Sequence, residues 1–110
     1  MIQAVLLLLA AAGGHADYFK DRVEPILRKN CLGCHNHELD DGAISFEDRT
    51  TLLTDRPNRG PALIPGAPEK SALVRAIRHK GDVQMPPGKK LAKKDIKILI
   101  RWVKLGAPYR

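Results

Sequence analysis

Large apolar side chains are scarce: the 110 residues include two Phe, two Tyr and one Trp. A single domain so poor in core material calls for an internal staple. Disulfides do not supply it. The only two cysteines, Cys31 and Cys34, would close a loop too short to constrain much of the unfolded chain. Also lacking are internal repeats, low-complexity tracts and any convincing pair of alternating strands, which excludes solenoids and sheet-built folds. Acidic residues are in deficit, 12 Asp and Glu against 19 Lys and Arg, for a net charge of +7. That excess implies an acidic partner, nucleic acid or an anionic surface without choosing among them. The length fits one domain and leaves no room for a catalytic domain beside a separate carrier.

Ile2 to Ala12 is apolar apart from Gln3 and leads into Gly13-Gly14-His15-Ala16. It is too short to span a bilayer, and small residues at Gly14 and Ala16 suit cleavage before Asp17. Residues 1–16 therefore read as a secretory signal peptide and 17–110 as the mature domain, although no Lys or Arg precedes the apolar run. The competing reading is an uncleaved anchor lying on a membrane surface. Cleavage predicts an exported, periplasmic bacterial protein with no transmembrane span.

In the mature part, Phe19, Val23, Ile26 and Leu27 share one helical face, with Asp17 as the expected N-cap. Pro25 predicts a kink or a late start. Ser45-Phe46-Glu47-Asp48 resembles a capping box ahead of a short helix through Leu53. Residues 56–68 hold four prolines and two glycines and must form a loop. Ser71 to Lys80 shows Leu73, Val74 and Ile77 at helical spacing, closed by Gly81. The clearest helix is Lys93 to Leu105, with Ile96, Leu99, Ile100 and Val103 on one face, stopped by Gly106 and Pro108. Short helices joined by loops this long need an organiser in the middle.

That organiser is legible in Cys31-Leu32-Gly33-Cys34-His35. Two thiols three residues apart, followed at once by histidine, form the attachment motif for a c-type haem. The thiols add across the two vinyl groups of one haem edge, and His35 is then held beneath the iron as an axial ligand. Three other readings compete. A structural zinc site needs four ligands, and only His37 is at hand to join this group. A thioredoxin-like dithiol wants a preceding strand and a parallel sheet. A plain disulfide would staple little.

The sixth iron ligand must come from Met85, His37, His79, Lys80 or water. Met85 is the best candidate, fifty residues beyond His35 and followed by two prolines that disfavour a core helix. Buried methionines usually fill gaps in a core, but here a rigid extended segment can hold a thioether against the open haem face. His37 is too close to His35 to cross the ring. Met/His ligation fills both axial positions and raises the reduction potential.

Taken together, these residues resemble the planctomycete-type cytochrome c domain within the class I cytochromes c. The likeness runs from Tyr18 to Pro108. It rests on Val23-Glu24-Pro25-Ile26-Leu27 before the Cys-His motif, then Gly60-Pro61-Ala62-Leu63-Ile64-Pro65-Gly66, Glu69-Lys70-Ser71, Met85-Pro86-Pro87 and Trp102-Val103-Lys104-Leu105-Gly106-Ala107-Pro108. The resemblance implies an all-α fold of three to five short helices wrapped around one covalently bound haem, with the first and last helices packed together. It implies His35 as proximal and Met85 as distal ligand. It also implies that the Gly60-Pro61 segment packs behind His35, where a backbone carbonyl accepts the imidazole hydrogen. Ala92 departs from expectation, standing where a capping Ser or Thr would serve, with Lys93 and Lys94 at the positive end of the helix dipole.

The expected function is one-electron transfer by haem c and its iron, in a soluble carrier or the haem subunit of a larger oxidoreductase, with no catalytic residues. Lys80, Lys89, Lys90, Lys93 and Lys94 bracket Met85 and are placed to steer an acidic redox partner, unless they are simply a solvated surface. The rival from the enzyme class is a haem enzyme or sensor subunit with a labile sixth position, peroxidase-like or gas-binding. Nucleic-acid docking is disfavoured, because Tyr109 alone outside the expected core lies near the basic residues and stacking support is missing.

Overall fold

The computed structural model describes residues 17–36, 38–39 and 43–109. The expected signal peptide, His37 and most of the turn expected at Leu39 to Gly42 lie outside the described residues. Four α-helices follow one another: α1 (Glu24–Asn30), α2 (Arg49–Leu53), α3 (Ala72–Ile77) and α4 (Lys93–Lys104). A π-helical turn, Phe19–Val23, runs directly into α1, and a 3-10 turn, Pro68–Lys70, leads into α3. No β-strand occurs among the described residues, so the all-α expectation is met.

The widened turn before α1 is the form the Pro25 disturbance takes. Glu24 N–H donates back to Phe19 O, and the extra residue in that turn accommodates a proline that has no N–H and crowds the carbonyl four residues before it. Asp17, expected as an N-cap, already lies inside the helical run. Phe19, Val23, Ile26 and Leu27 are all buried, as their spacing predicts.

Two helix boundaries fall elsewhere than expected. Asp48, not Ser45, caps α2: its backbone is extended (φ −130°) and its carboxylate accepts from Thr50 N–H at 2.9 Å. Ser45 instead builds a tight turn, its N–H donating to Thr51 Oγ1 at 2.8 Å. The first left-handed residue after α3 is His79 (φ +56°), and Gly81 two positions on also has positive φ (+102°) as expected. Ala76 O accepts from both His79 N–H and Met85 N–H, at 3.1 and 3.0 Å. The chain therefore turns early in order to bring residue 85 back against α3.

The core is organised by α4, whose Ile96, Leu99, Trp102 and Val103 are buried while Lys93, Lys94, Lys97 and Arg101 face outward. Its apolar face packs on the Phe19–Val23 turn, so the first and last helical segments meet as the resemblance implies. The Phe19 and Trp102 rings lie 6.0 Å apart, and Tyr18 Oη donates to Ile98 O at 2.9 Å. Tyr109 is not a surface aromatic. Its ring stacks on Phe19 at 4.4 Å and its hydroxyl donates to Phe46 O at 3.0 Å.

This return of the chain after α4 depends on Gly106 (φ +97°) and Ala107 (φ +51°), both left-handed. Arg49 fixes it from α2, donating through Nε to Ala107 O and through Nη2 to Gly106 O, each at 2.9 Å. Trp102 Nε1–H donates to Pro108 O at 2.8 Å. The last carbonyls of α4 are taken by backbone N–H groups of Leu105, Gly106 and Ala107, and the side chains of Arg49 and Trp102 satisfy those of the returning segment.

Candidate cofactor site

The attachment motif forms a turn on the C-terminal end of α1. Cys31 N–H and Leu32 N–H both donate to Leu27 O at 2.9 Å, and His35 N–H donates to Cys31 O at 3.0 Å. Asn36 anchors the next step, its Nδ2 donating to Leu32 O while its Oδ1 accepts from Glu38 and Leu39 N–H. The motif is therefore held by backbone bonds on both sides, with its side chains left free. Both cysteines are free thiols, Cys31 half-buried and Cys34 exposed. Burial pushes the Cys31 thiol up to about 11, which keeps it in the neutral S–H form.

His35 is buried, with 7 % of its surface accessible. The edge of Phe46 meets its ring at 5.8 Å and 75°, and Phe46 N–H donates to His35 O at 2.8 Å. Phe46 is itself pinned by the Tyr109 hydroxyl described above. Sequence reasoning missed this residue, whose only signal was being one of two phenylalanines.

Cys31, Cys34 and His35 line one cavity of about 500 Å³, and Met85 with Pro86 and Pro87 lines the same cavity. The volume falls within the range of ordinary cofactor pockets. Ile44, Phe46, Ala62, Leu73, Ile77 and Leu91 supply apolar lining. Residues 81–87 are threaded to the cavity by the Met85-to-Ala76 bond. Of the other distal candidates, Lys80 lines the cavity and His79 does not.

Pro61 is not brought to the cavity, although its neighbour Ala62 is. Its carbonyl is turned toward the start of α3, where it accepts from Ala72 N–H at 3.3 Å, and Ala62 O accepts from Leu73 N–H at 2.9 Å. These bonds tie the Pro-rich loop to α3. The hydrogen bond expected from the imidazole to a backbone carbonyl of the Gly60-Pro61 segment is not made, and His35 Nδ1 is buried with no hydrogen-bond partner.

Among the described residues no group of three or more His, Cys, Asp or Glu is arranged to hold a metal ion, so the zinc reading finds no support there. Nor do the described residues include the strand that a thioredoxin-like dithiol requires. No described helix is long and apolar enough to cross a membrane.

The residues present fit a haem. Paired free thiols, a buried histidine and a methionine line one largely apolar cavity, the donor set that a thioether-linked tetrapyrrole would use. An all-helical domain with this site is a cytochrome c domain. Residues 31–89 match the family described as Planctomycete cytochrome C, and this chain, more than half of which is covered, belongs to that family. Membership implies haem c as cofactor and haem-based electron transfer as the broad function. No curated protein and no solved structure matches the chain.

Proposed function

We propose that the domain is a one-electron carrier of class I cytochrome c type, exported by way of residues 1–16 and working as a soluble protein or as the haem subunit of a larger oxidoreductase. In this reading Cys31 and Cys34 hold the haem through thioethers, His35 is the proximal ligand and Met85 the distal one. The haem supplies the one-electron couple. The chain supplies attachment, axial donors, and an apolar wall that excludes water from most of the ring. The single observation that carries the reading is the cavity shared by Cys31, Cys34, His35 and Met85. In this reading two protein donors would fill both axial positions and leave none open to a substrate, which favours electron transfer over oxygen or peroxide chemistry.

Production with haem-maturation machinery tests the central point. The expected product is a chain beginning at Asp17 whose intact mass includes one haem that survives denaturation, with a two-thioether pyridine spectrum. Cys31→Ala or Cys34→Ala is expected to leave one thioether and a displaced spectrum. A mature mass without haem overturns the proposal.

The partner proposed for the carrier is an acidic redox protein. Lys80, Lys89, Lys90, Lys93 and Lys94 are all exposed, and Lys80 reaches the cavity wall. Ala92 offers no side-chain cap to α4, and Lys93 and Lys94 stand at its positive end with Asp95 as the one acid of that turn. That arrangement weakens the helix slightly and suits docking to carboxylates. Reversing Lys89 and Lys90 to Glu is expected to slow reduction by an acidic donor about tenfold at low ionic strength and to flatten the salt dependence. Stopped-flow rates against salt concentration check this, and an unchanged salt slope would remove the lysines from the docking surface.

A further inference from the structure

Arginine on the cavity wall is unexplained by attachment or axial ligation. Arg56, Arg59 and Arg75 line the cavity together with Lys80, against one acid, Asp82. Like charges gathered around a low-dielectric hollow repel one another unless an anion enters it. Arg56 already shows the strain: burial, and secondarily the neighbouring Arg59 charge, lower its pKa.

The backbone brings these cations together from separate segments. Asn58 is left-handed (φ +63°), and Arg59 N–H and Gly60 N–H both donate to Arg56 O, at 3.2 and 3.1 Å, which folds residues 56–60 into a tight turn. Arg56 Nε donates to Gly60 O at 3.0 Å and so braces the turn from within. The bonds from Ala72 and Leu73 to Pro61 and Ala62 then lay this turn beside the first turns of α3, which carries Arg75. Arg59 and Arg75 are exposed at the cavity rim, and neither has an ion-pair partner among the described residues. By contrast Arg78, also at the end of α3, pairs outward with Glu69 at 3.4 Å.

We propose that Arg59 and Arg75 form the anion subsite of the cavity and bind the two carboxylate groups at the haem edge remote from the thioethers. The inference rests on the haem reading above. It adds which edge of the ring faces the turn at 56–60 and α3, and how its charge is neutralised. A guanidinium fork matches a carboxylate bidentately, a geometry that an ammonium does not reproduce. Arg56, Lys80 and Asp82 set the surrounding field, net positive, without being the primary partners.

The test compares the holoprotein with Arg59→Gln, Arg75→Gln and the double variant, with Arg78→Gln as a control of equal charge change outside the cavity. Two readouts are taken: the haem carboxylate bending band in resonance Raman spectra and the reduction potential by equilibrium titration. The expected result is a shifted carboxylate band in each cavity variant, additive in the double one, with a downward shift in potential as the carboxylate charge is uncovered. Arg75→Lys is expected to shift the band while leaving most of the potential, since charge survives and the fork does not. Arg78→Gln is expected to move neither readout. Unchanged bands in haem-loaded cavity variants overturn the proposal, as does an equal effect from Arg78→Gln. If the double variant does not mature, the single variants are read by the same criteria. Failure of the haem reading itself is distinct, because the unsubstituted protein would then carry no covalent haem.

Discussion

Met85→Ala is expected to convert the holoprotein from one inert toward carbon monoxide into one that binds it rapidly and stoichiometrically. Under the proposed ligation, removing the thioether opens the sixth position while leaving both cysteines and His35 in place. The weak far-red sulfur-to-iron absorption of the oxidised protein should disappear. The potential should fall on the order of tenths of a volt, a plausible share of the roughly 0.8 V range that axial ligands set. Because residue 85 is held to α3 through its own backbone N–H, the substitution should not release the segment. Carbon monoxide binding that is already rapid in the unsubstituted protein would instead favour the enzyme or sensor reading.

The largest stability loss is expected from Trp102→Ala. The indole is 0 % exposed, lies against Phe19 and Tyr109 and donates to Pro108 O. Truncating a buried aromatic of this kind costs about 3–5 kcal/mol. Against a net stability of about 5–15 kcal/mol for whole proteins, that leaves a domain this small with little in reserve. Trp102→Phe should retain most of the packing and lose about 1–3 kcal/mol through the stranded Pro108 carbonyl. Denaturant midpoints followed by far-ultraviolet circular dichroism check both values. Equal losses in the two variants would show that the indole hydrogen bond, rather than ring volume, carries the effect.

The helices were legible where apolar spacing was strict, as in α4, whose Ile96, Leu99 and Val103 are buried in the expected register. Ile100, predicted on the same face, is only half-buried, whereas Trp102 on the other flank of Leu99 is fully buried. Boundaries were less legible. Asp48 rather than Ser45 is the cap: the Ser45 hydroxyl accepts from Glu47 N–H and its backbone bonds Thr51 Oγ1, contacts that no local pattern announces. Gly81 has the positive φ expected of it, but His79 turns left-handed first and the Met85 segment returns to Ala76. At the site, the attachment motif and Met85 carried their own chemistry in the sequence. Phe46, Arg59 and Arg75 did not, since each reaches the cavity only through loop bonds formed with distant residues. Pro61 was placed by resemblance, yet its carbonyl is engaged by α3 instead of by His35.

The Arg49 clamp has a bearing on the order in which the molecule is completed. It joins α2 to Gly106 and Ala107, and Tyr109 in turn secures the segment beside His35. In the exported form proposed above, a chain threading a channel N-terminus first would close these contacts only once residues 106–109 had followed. The wall behind the histidine would then seal later than the attachment turn forms, leaving that turn accessible to haem maturation in the interval.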